Sequence, residues 1–170
     1  METWDAVTGR RSVRQFKDEP VSDEQLDHLV EAAHWAPSGL NNQPWRFMKV
    51  TDRSLIERLS SMTRYRGTVA GSAAVIAVFL DHDESYDRTK DVQSCGAAIQ
   101  NMLLAAFDMG LGTCWLGEIL KRHEDVEALL SVRTGLELMA VVVVGHPVEK
   151  ELAGVRHPVE TFLIPPPERG

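Results

Sequence analysis

Ala73-Ala74-Val75-Ile76-Ala77-Val78-Phe79-Leu80 form one continuous apolar run, rich in residues that favour strands. Such a run predicts a strand in the interior of a sheet, where both faces are covered. A second run, from Leu138 to Val144, predicts another core strand. Trp45 to Val50 alternate apolar and polar residues, which predicts a half-buried strand, and Thr113 to Leu116 are expected to form a short strand or turn.

Helices are predicted between these strands. Ser22 and Gln25 have the spacing of a capping box, so a helix should begin there and stop before Pro37. Residues 91–109 are apolar on nearly all sides, which predicts a long, largely buried helix that Gly110 ends. Shorter helices are predicted at residues 3–8, after Asp52 or Ser54, and at 124–130. The mixture of strands and long helices predicts an α+β or α/β sandwich.

Composition limits the class of protein. A chain of 170 residues predicts one domain over residues 1–170. The longest apolar run is far below the ~20 residues of a membrane span, and no signal-peptide pattern is visible, so we expect a cytoplasmic protein without a membrane partner. The formal net charge of −7 argues against nucleic acid as the main partner, because binding to phosphates needs a basic surface.

Standard catalytic and metal-binding motifs are missing from the sequence. There is no GxSxG elbow, HExxH pair, Walker A lysine motif or EF-hand loop. The six histidines are scattered, so no metal site is predicted. Cys95 and Cys114 lack a partner pattern, which predicts reduced, buried thiols. Gly110-Leu111-Gly112 begins a GxGxxG pattern, but Trp115 occupies the third glycine position, which argues against a dinucleotide fold.

The segment Arg10-Arg11-Ser12-Val13-Arg14, interpreted as a loop, concentrates positive charge on an acidic protein. Guanidinium groups donate paired hydrogen bonds to phosphate oxygens, and a serine hydroxyl adds another. The segment therefore favours a grip on one small anion. A solvated turn or a basic patch is an equally open interpretation of the segment alone.

A second segment, Ala36-Pro37-Ser38-Gly39-Leu40-Asn41-Asn42-Gln43-Pro44-Trp45, carries small and amide residues into a strand. Ser38 and Gly39 would let a flat ligand approach the backbone. Asn41 and Gln43 each offer a donor and an acceptor, which suits the alternating edge of a flavin pyrimidine ring. An ordinary Asx-rich turn after a helix is the alternative.

Together these segments resemble the nitroreductase family of flavoproteins, and the resemblance spans nearly the whole chain. Arg10 to Phe16 is similar to the family's phosphate motif, and Ala36 to Phe47 to its second flavin motif. Gly110 to Trp115 resembles the turn whose following backbone approaches the ring. Val141 to Pro147 resembles the strand before a tail that wraps the partner subunit, and Arg156 matches a late phosphate-binding arginine.

The resemblance implies a fold and a set of FMN contacts. The fold would be a central mixed, mainly antiparallel sheet flanked by helices, with the tail from Gly145 to Gly170 exchanged with the partner of a homodimer. The FMN phosphate would be bound by Arg10, Ser12, Arg14 and Arg156, with a further contribution from Arg11. Pro37, Ser38 and Gly39 would reach the flavin from the other subunit, and Asn41 and Gln43 would also contact it, unless Gln43 braces the loop instead. Trp115, Leu116 and Gly117 would lie along the ring.

The implied activity is transfer of electrons from NADH or NADPH to a small acceptor such as a nitroaromatic or a quinone. In a ping-pong mechanism, hydride would reach the flavin N5, and no catalytic side chain or metal would be needed. The alternatives are an FMN-binding or regulatory module without turnover, a deiodinase or flavin-cleaving relative, and an anion-binding protein that uses the arginines alone. Arg64, Tyr65 and Arg66, in the short segment from Ser61 to Ser72, could meet an anionic substrate or the phosphates of the nicotinamide cofactor, or could form an exposed basic helix end.

Overall fold

The two apolar runs lie at the centre of one sheet. The structure, a computed structural model, describes residues 1–148 and 153–166, so residues 149–152 and 167–170 of the predicted tail lie outside it. The strands are β1 (Trp45–Val50), β2 (Ala74–Asp81), β3 (Gly112–Leu116) and β4 (Leu136–Gly145). They pair antiparallel in the order β1-β2-β4-β3. The prediction of an interior strand at β2 is confirmed, since all eight of its residues are buried between β1 and β4.

Helices cover the sheet. They are α1 (Thr3–Gly9), α2 (Asp23–His34), α3 (Arg53–Ser60), α4 (Arg66–Ala70), α5 (Arg88–Asp108) and α6 (His123–Leu129). The predicted capping box is present, because the Ser22 hydroxyl accepts from the Gln25 amide at 3.2 Å and the Gln25 side chain accepts from the Ser22 amide at 2.9 Å. Asp52 caps α3, because its side chain accepts from the Leu55 amide at 2.9 Å. The short helix α4 was not predicted.

Each face of the sheet has its own core. On one face, α2 and α5 pack against alternate strand residues such as Ile76 and Val142. On the other face, α3, α4 and α6 pack against the intervening residues, including Val75 and Val141. This helix–sheet–helix layering confirms the predicted α+β class. Within the described ranges, no helix is both long enough and apolar enough to cross a bilayer.

The two cysteines are buried in these cores and form no disulfide. Burial, with nearby Asp91 and Glu137, raises the pKa of the Cys95 thiol to about 12. Burial also raises the pKa of Cys114, although Arg14, the Ser12 hydroxyl and Arg10 oppose the shift. Both side chains are therefore protonated at neutral pH, as packing residues rather than nucleophiles.

Candidate functional site

The arginine segment is attached to the edge of the sheet. The Val13 amide donates to the Thr113 carbonyl at 2.8 Å, and a parallel bridge joins Ser12 to Thr113 on β3. Further along, the Lys17 amide donates to the His146 carbonyl at 2.8 Å. The segment is the loop that the sequence predicted, and these hydrogen bonds and two isolated bridges tie it to the sheet edge. The bridge at Ser12 is isolated and parallel, whereas the four strands of the sheet pair antiparallel.

Two glycines make this attachment possible. A Cβ atom on Gly112 would lie 2.8–2.9 Å from the Val13 side chain. A Cβ atom on Gly145 would lie 2.8 Å from the Phe16 ring. Carbon atoms do not approach this closely without strain, so both positions require glycine for the segment to lie flat on the sheet edge.

The arginines meet in one cavity at this edge. The cavity has a volume of about 290 Å³ and is lined by Arg10, Arg11, Ser12, Arg14, Ala153, Gly154 and Arg156. Gly154 lies so close to the Arg11 guanidinium that a side chain there would overlap it. The structure therefore brings together, within one chain, the five residues that the sequence assigned to the phosphate.

Electrostatics show that this cavity suits an anion. Burial lowers the pKa of Arg10, and repulsion from Arg156 and Arg11 lowers it further. The Nε atoms of Arg10 and Arg11 are buried and have no hydrogen-bond partner among the residues that the structure describes. Within residues 1–148 and 153–166, none of the four arginines pairs with a carboxylate. A bound phosphate would offset the repulsion and satisfy the donors, so the residues present fit the phosphate of FMN.

Three further predicted site residues lie at the end of β3, on the same sheet edge. Trp115 is 41% exposed and packs over Gly96 of α5, which leaves one side of its ring accessible. The side chain of Leu116 is buried in the core, so only its backbone can reach a ligand. Gly117 is exposed and has open space where a side chain would stand, so a flat ring could approach its backbone.

The second predicted segment is a strained loop before β1. Leu40, Asn41 and Gln43 have positive φ angles of 55°, 56° and 47°. Such conformations cost about 1 kcal/mol or more per non-glycine residue and concentrate at functional sites. The Ser38 hydroxyl accepts from the Gln43 amide at 3.0 Å, and the Gln43 side chain donates to the Asn41 carbonyl at 3.2 Å. In this structure Gln43 therefore braces the loop, as its alternative interpretation anticipated.

A buried carboxylate that the sequence did not single out fixes this loop. Asp91 accepts from the Asn42 side chain at 2.8 Å and from the Ser85 hydroxyl at 2.6 Å, besides two backbone amides. Burial alone would raise the pKa of Asp91, but these hydrogen bonds outweigh it and the pKa is lowered. The same network places the Tyr86 ring against Gly39. Asp91 was missed because it lies in a helix that was interpreted as almost uniformly apolar.

The two halves of the predicted site lie at diagonal corners of the sheet. The loop leads into Trp45, which is level with Glu137 on β4, whereas Ser12 lies beside Thr113, which is level with Val144. At ~3.3 Å per residue and ~4.8 Å per strand, the separation is on the order of 30 Å. No ligand of the size of FMN bridges that distance within one chain. The structure therefore brings Arg10 to Arg14, Arg156 and Trp115 to Gly117 to one edge, but not Pro37 to Gln43.

Known proteins of similar sequence belong to the family that the sequence motifs resemble. The sequence profile of the Nitroreductase family matches residues 7–64 and 57–146. An NADH dehydrogenase/NAD(P)H nitroreductase of Archaeoglobus fulgidus, provisionally named so, is 36% identical over 146 residues, which are 84% of this chain and 83% of that protein. The FMN reductase [NAD(P)H] of Bacillus subtilis is 26% identical over 91% of this chain and 70% of its own length.

Solved structures show the same fold. A provisionally named nitroreductase from Desulfovibrio desulfuricans, crystallised in complex with FMN, superimposes with a TM-score of 0.92. It is 40% identical in sequence, and the match covers 99% of this chain and 100% of that one. The agreement therefore extends over nearly all elements described above.

Proposed function

The chain belongs to the nitroreductase family, and from that premise we propose that it is an FMN-dependent oxidoreductase that transfers electrons from NAD(P)H to a small acceptor, such as a nitroaromatic or a quinone. The observation that carries the proposal is the cavity at the sheet edge, where four arginines meet without a carboxylate partner among the described residues. The names of the similar proteins support NAD(P)H as the reductant and FMN as the cofactor.

The arginine cavity would hold the FMN phosphate. Arg10, Arg14 and Arg156 would supply charged donors, Ser12 a hydroxyl, and the Arg11 guanidinium would be kept in place by the carbonyls of Thr8 and Arg10, to which it donates at 2.7 and 2.8 Å. Because Gly154 contacts Arg11, the tail closes one side of the cavity. Phosphate binding and tail placement are thereby coupled.

The isoalloxazine ring would extend from this cavity along β3 towards Trp115 and Gly117. When bound, FMN accepts a hydride from NAD(P)H and passes the electrons to the acceptor, so the protein needs no nucleophile or metal. The chain's own residues position the ring and exclude water from it: Trp115 offers an aromatic face and Gly117 an accessible backbone. We further propose a ping-pong order, in which NADP⁺ or NAD⁺ leaves before the acceptor enters.

A second copy of the chain would complete the site. The loop Pro37 to Gln43 lies on the order of 30 Å from the arginines of its own chain, so it would contact the flavin of a partner. The described part of the tail, residues 153–166, is exposed throughout. It carries Val159, Phe162 and Leu163, which are 65%, 68% and 69% exposed. Burial of this apolar surface against a partner would drive formation of a homodimer with an exchanged tail.

The visible spectrum of the purified protein tests the proposal. A flavin spectrum that bleaches under anaerobic NADH or NADPH and recovers when a nitroaromatic or a quinone is added is the expected result. Double-reciprocal plots of the initial rate against NAD(P)H concentration should give parallel lines at several fixed acceptor concentrations, which would support the ping-pong order. A yellow protein that stays oxidised under both nicotinamides would instead indicate an FMN-binding module, and a protein unable to take up FMN would indicate a simple anion-binding protein.

A further inference from the structure

A short segment between α3 and α4 is tied to the end of β3. Glu118, which directly follows Gly117, accepts a hydrogen bond from the Thr63 hydroxyl at 2.7 Å and another from the Arg64 amide at 3.2 Å. These hydrogen bonds, the Thr63 bond first, lower the pKa of the Glu118 carboxyl, so the group is ionised at neutral pH. The backbone of Arg64 is thus fixed next to the residues proposed to face the flavin.

The side chain of Arg64 is also ordered. Its guanidinium lies 5.0 Å from the centre of the Tyr65 ring and donates to the Tyr65 hydroxyl at 3.1 Å. The Tyr65 ring itself packs against the core that contains Leu116. A cation held in this way loses less freedom on binding a ligand than a free surface arginine would.

Charge pairing separates Arg64 from its basic neighbours. Arg66 pairs with Glu57 at 3.0 Å and Lys121 with Glu118 at 3.9 Å. No carboxylate among the described residues lies within ion-pair distance of Arg64, although its charge is near enough to Glu118 to help lower the pKa of that carboxyl. On a protein of net charge −7, which repels anions in general, an available cation beside the ring would act as a local anion site.

We propose that Arg64 determines specificity by binding an anionic group of the substrate that approaches the flavin. The anion is a carboxylate on the acceptor or the 2′-phosphate of NADPH, since both accept charge-assisted hydrogen bonds from a guanidinium. The inference rests on the proposed function, because it needs the flavin ring beside Gly117.

Substrate pairs that differ in charge but hardly in shape test it. We would measure kcat/KM of the FMN-loaded wild type and of Arg64→Gln with 4-nitrobenzoate against 4-nitrobenzamide, and with NADPH against NADH. In at least one pair, the charged-to-neutral ratio should fall about five- to tenfold in Arg64→Gln. The pair that responds identifies the source of the anion. Arg66→Gln removes the same charge two residues away from a cation already paired with Glu57, and should leave both ratios as in the wild type.

Ligand binding without turnover gives a second readout. Titration calorimetry of the oxidised holoprotein should show that Arg64→Gln raises the Kd of the ligand that mimics the responding pair, either benzoate against benzamide or 2′-AMP against AMP. Added salt should weaken this preference in the wild type and hardly change it in the variant. Unchanged ratios in both pairs, or equal losses for charged and neutral members, would overturn the proposal. If the wild type fails to oxidise NAD(P)H even with the neutral acceptor, the proposed function itself is wrong.

Discussion

The arginine segment and the C-terminal tail both supply arginines to one cavity, yet the chain holds them in different ways. Residues 10–17 are tied to the sheet by backbone hydrogen bonds at Val13 and Lys17 and lie flat over two glycines. Residues 153–166 are exposed throughout, and Val155 and Ile164 are 90% and 93% exposed. One side of the phosphate site is therefore built by the fold of a single chain, whereas the other side depends on the surface, proposed to be a partner chain, that covers the exposed tail.

Of the changes that distinguish the two sides of the site, removing the tail should have the largest effect on FMN binding and on dimer formation. A chain that ends at Val148 keeps the Phe16–Pro147 bridge of the arginine segment but loses Arg156 and the exposed apolar residues. We expect a monomer without FMN in light scattering and in the visible spectrum, because the surface that would form the dimer is gone. Full-length Arg156→Ala is the control and should stay dimeric with weaker FMN binding. A truncated protein that remains a yellow dimer would contradict the assignment of the tail.

Removing one arginine from the fixed side should weaken FMN binding without harming the fold. Arg10→Ala loses charge-assisted hydrogen bonds of ~1.5–3 kcal/mol each, which corresponds to an increase of about 10- to 100-fold in the Kd of FMN. Stability of the apoprotein should stay equal or rise slightly, because burial and repulsion oppose the Arg10 charge. Fluorescence titration with FMN and denaturant unfolding measure the two effects. Arg58→Ala, an exposed arginine on α3, should change neither, and an unchanged FMN affinity in Arg10→Ala would refute its role.

A side chain at Gly112, where the arginine segment packs against the sheet edge, should lower the free energy of unfolding. In Gly112→Ala the new methyl group would meet the Val13 side chain at 2.8–2.9 Å, and we expect a loss of about 1–3 kcal/mol in the free energy of unfolding. Adding Val13→Ala removes the contacts with the two Cγ atoms and leaves only the Val13 Cβ at 2.9 Å, so part of the loss should be recovered and the double variant should be more stable than the sum of the two single losses predicts. Additive losses in urea unfolding would show that the close approach is not what fixes the segment.

The loop before β1 extends the comparison, since a side-chain hydrogen bond from Asn42 to the buried Asp91 ties it to α5. The pKa of Asp91 is lowered in the folded protein, so the carboxylate stabilises the fold above its unfolded pKa of about 3.9, and this contribution is lost as pH falls through the folded value. Asp91→Asn should therefore differ most from the wild type at pH 7. The difference should shrink below about pH 4, by at most ~1.4 kcal/mol per pH unit.

Unfolding in urea at pH 7, 5 and 3.5 measures this difference. Asp18→Asn, which alters an exposed carboxylate in a loop, serves as the control and should show no comparable change with pH. A constant difference between wild type and Asp91→Asn over the whole range would mean that ionisation of Asp91 does not support the loop.

Local patterns predicted the elements well and the contacts between them poorly. The bounds of β1, the capping box of Ser22 and the end of the long helix before Gly110 follow from neighbouring residues, and the structure has all three. The pairing of Ser12 with Thr113 joins segments far apart in sequence, and a run of arginines has no alternation that would indicate a sheet edge. For the same reason the phosphate residues could be named from a motif, whereas their attachment to β3 could not.

The residues that brace the site left even less signal in the sequence. Asp91 and Glu118 are single carboxylates, and nothing nearby indicates that Asn42 and Thr63 will hydrogen-bond to them. The helix α4 contains only five residues, one of them a glycine, too few for a periodic pattern. The loop at Leu40 to Gln43 could be predicted as a turn, but its three positive φ angles could not, because non-glycine residues rarely adopt them.

The diagonal placement of the arginines and the strained loop has a genetic consequence. If each flavin is shared by two chains, a pair of copies holds two sites, and each site takes one corner from either copy. A copy defective at Arg10 and a copy defective at Gly39 would together form one site with both defects and one with none. Each mixed dimer would have about half of the activity of a normal dimer, and random pairing makes about half of the dimers mixed. Two inactive alleles would therefore complement each other to about a quarter of the normal activity, whereas either allele alone would have none.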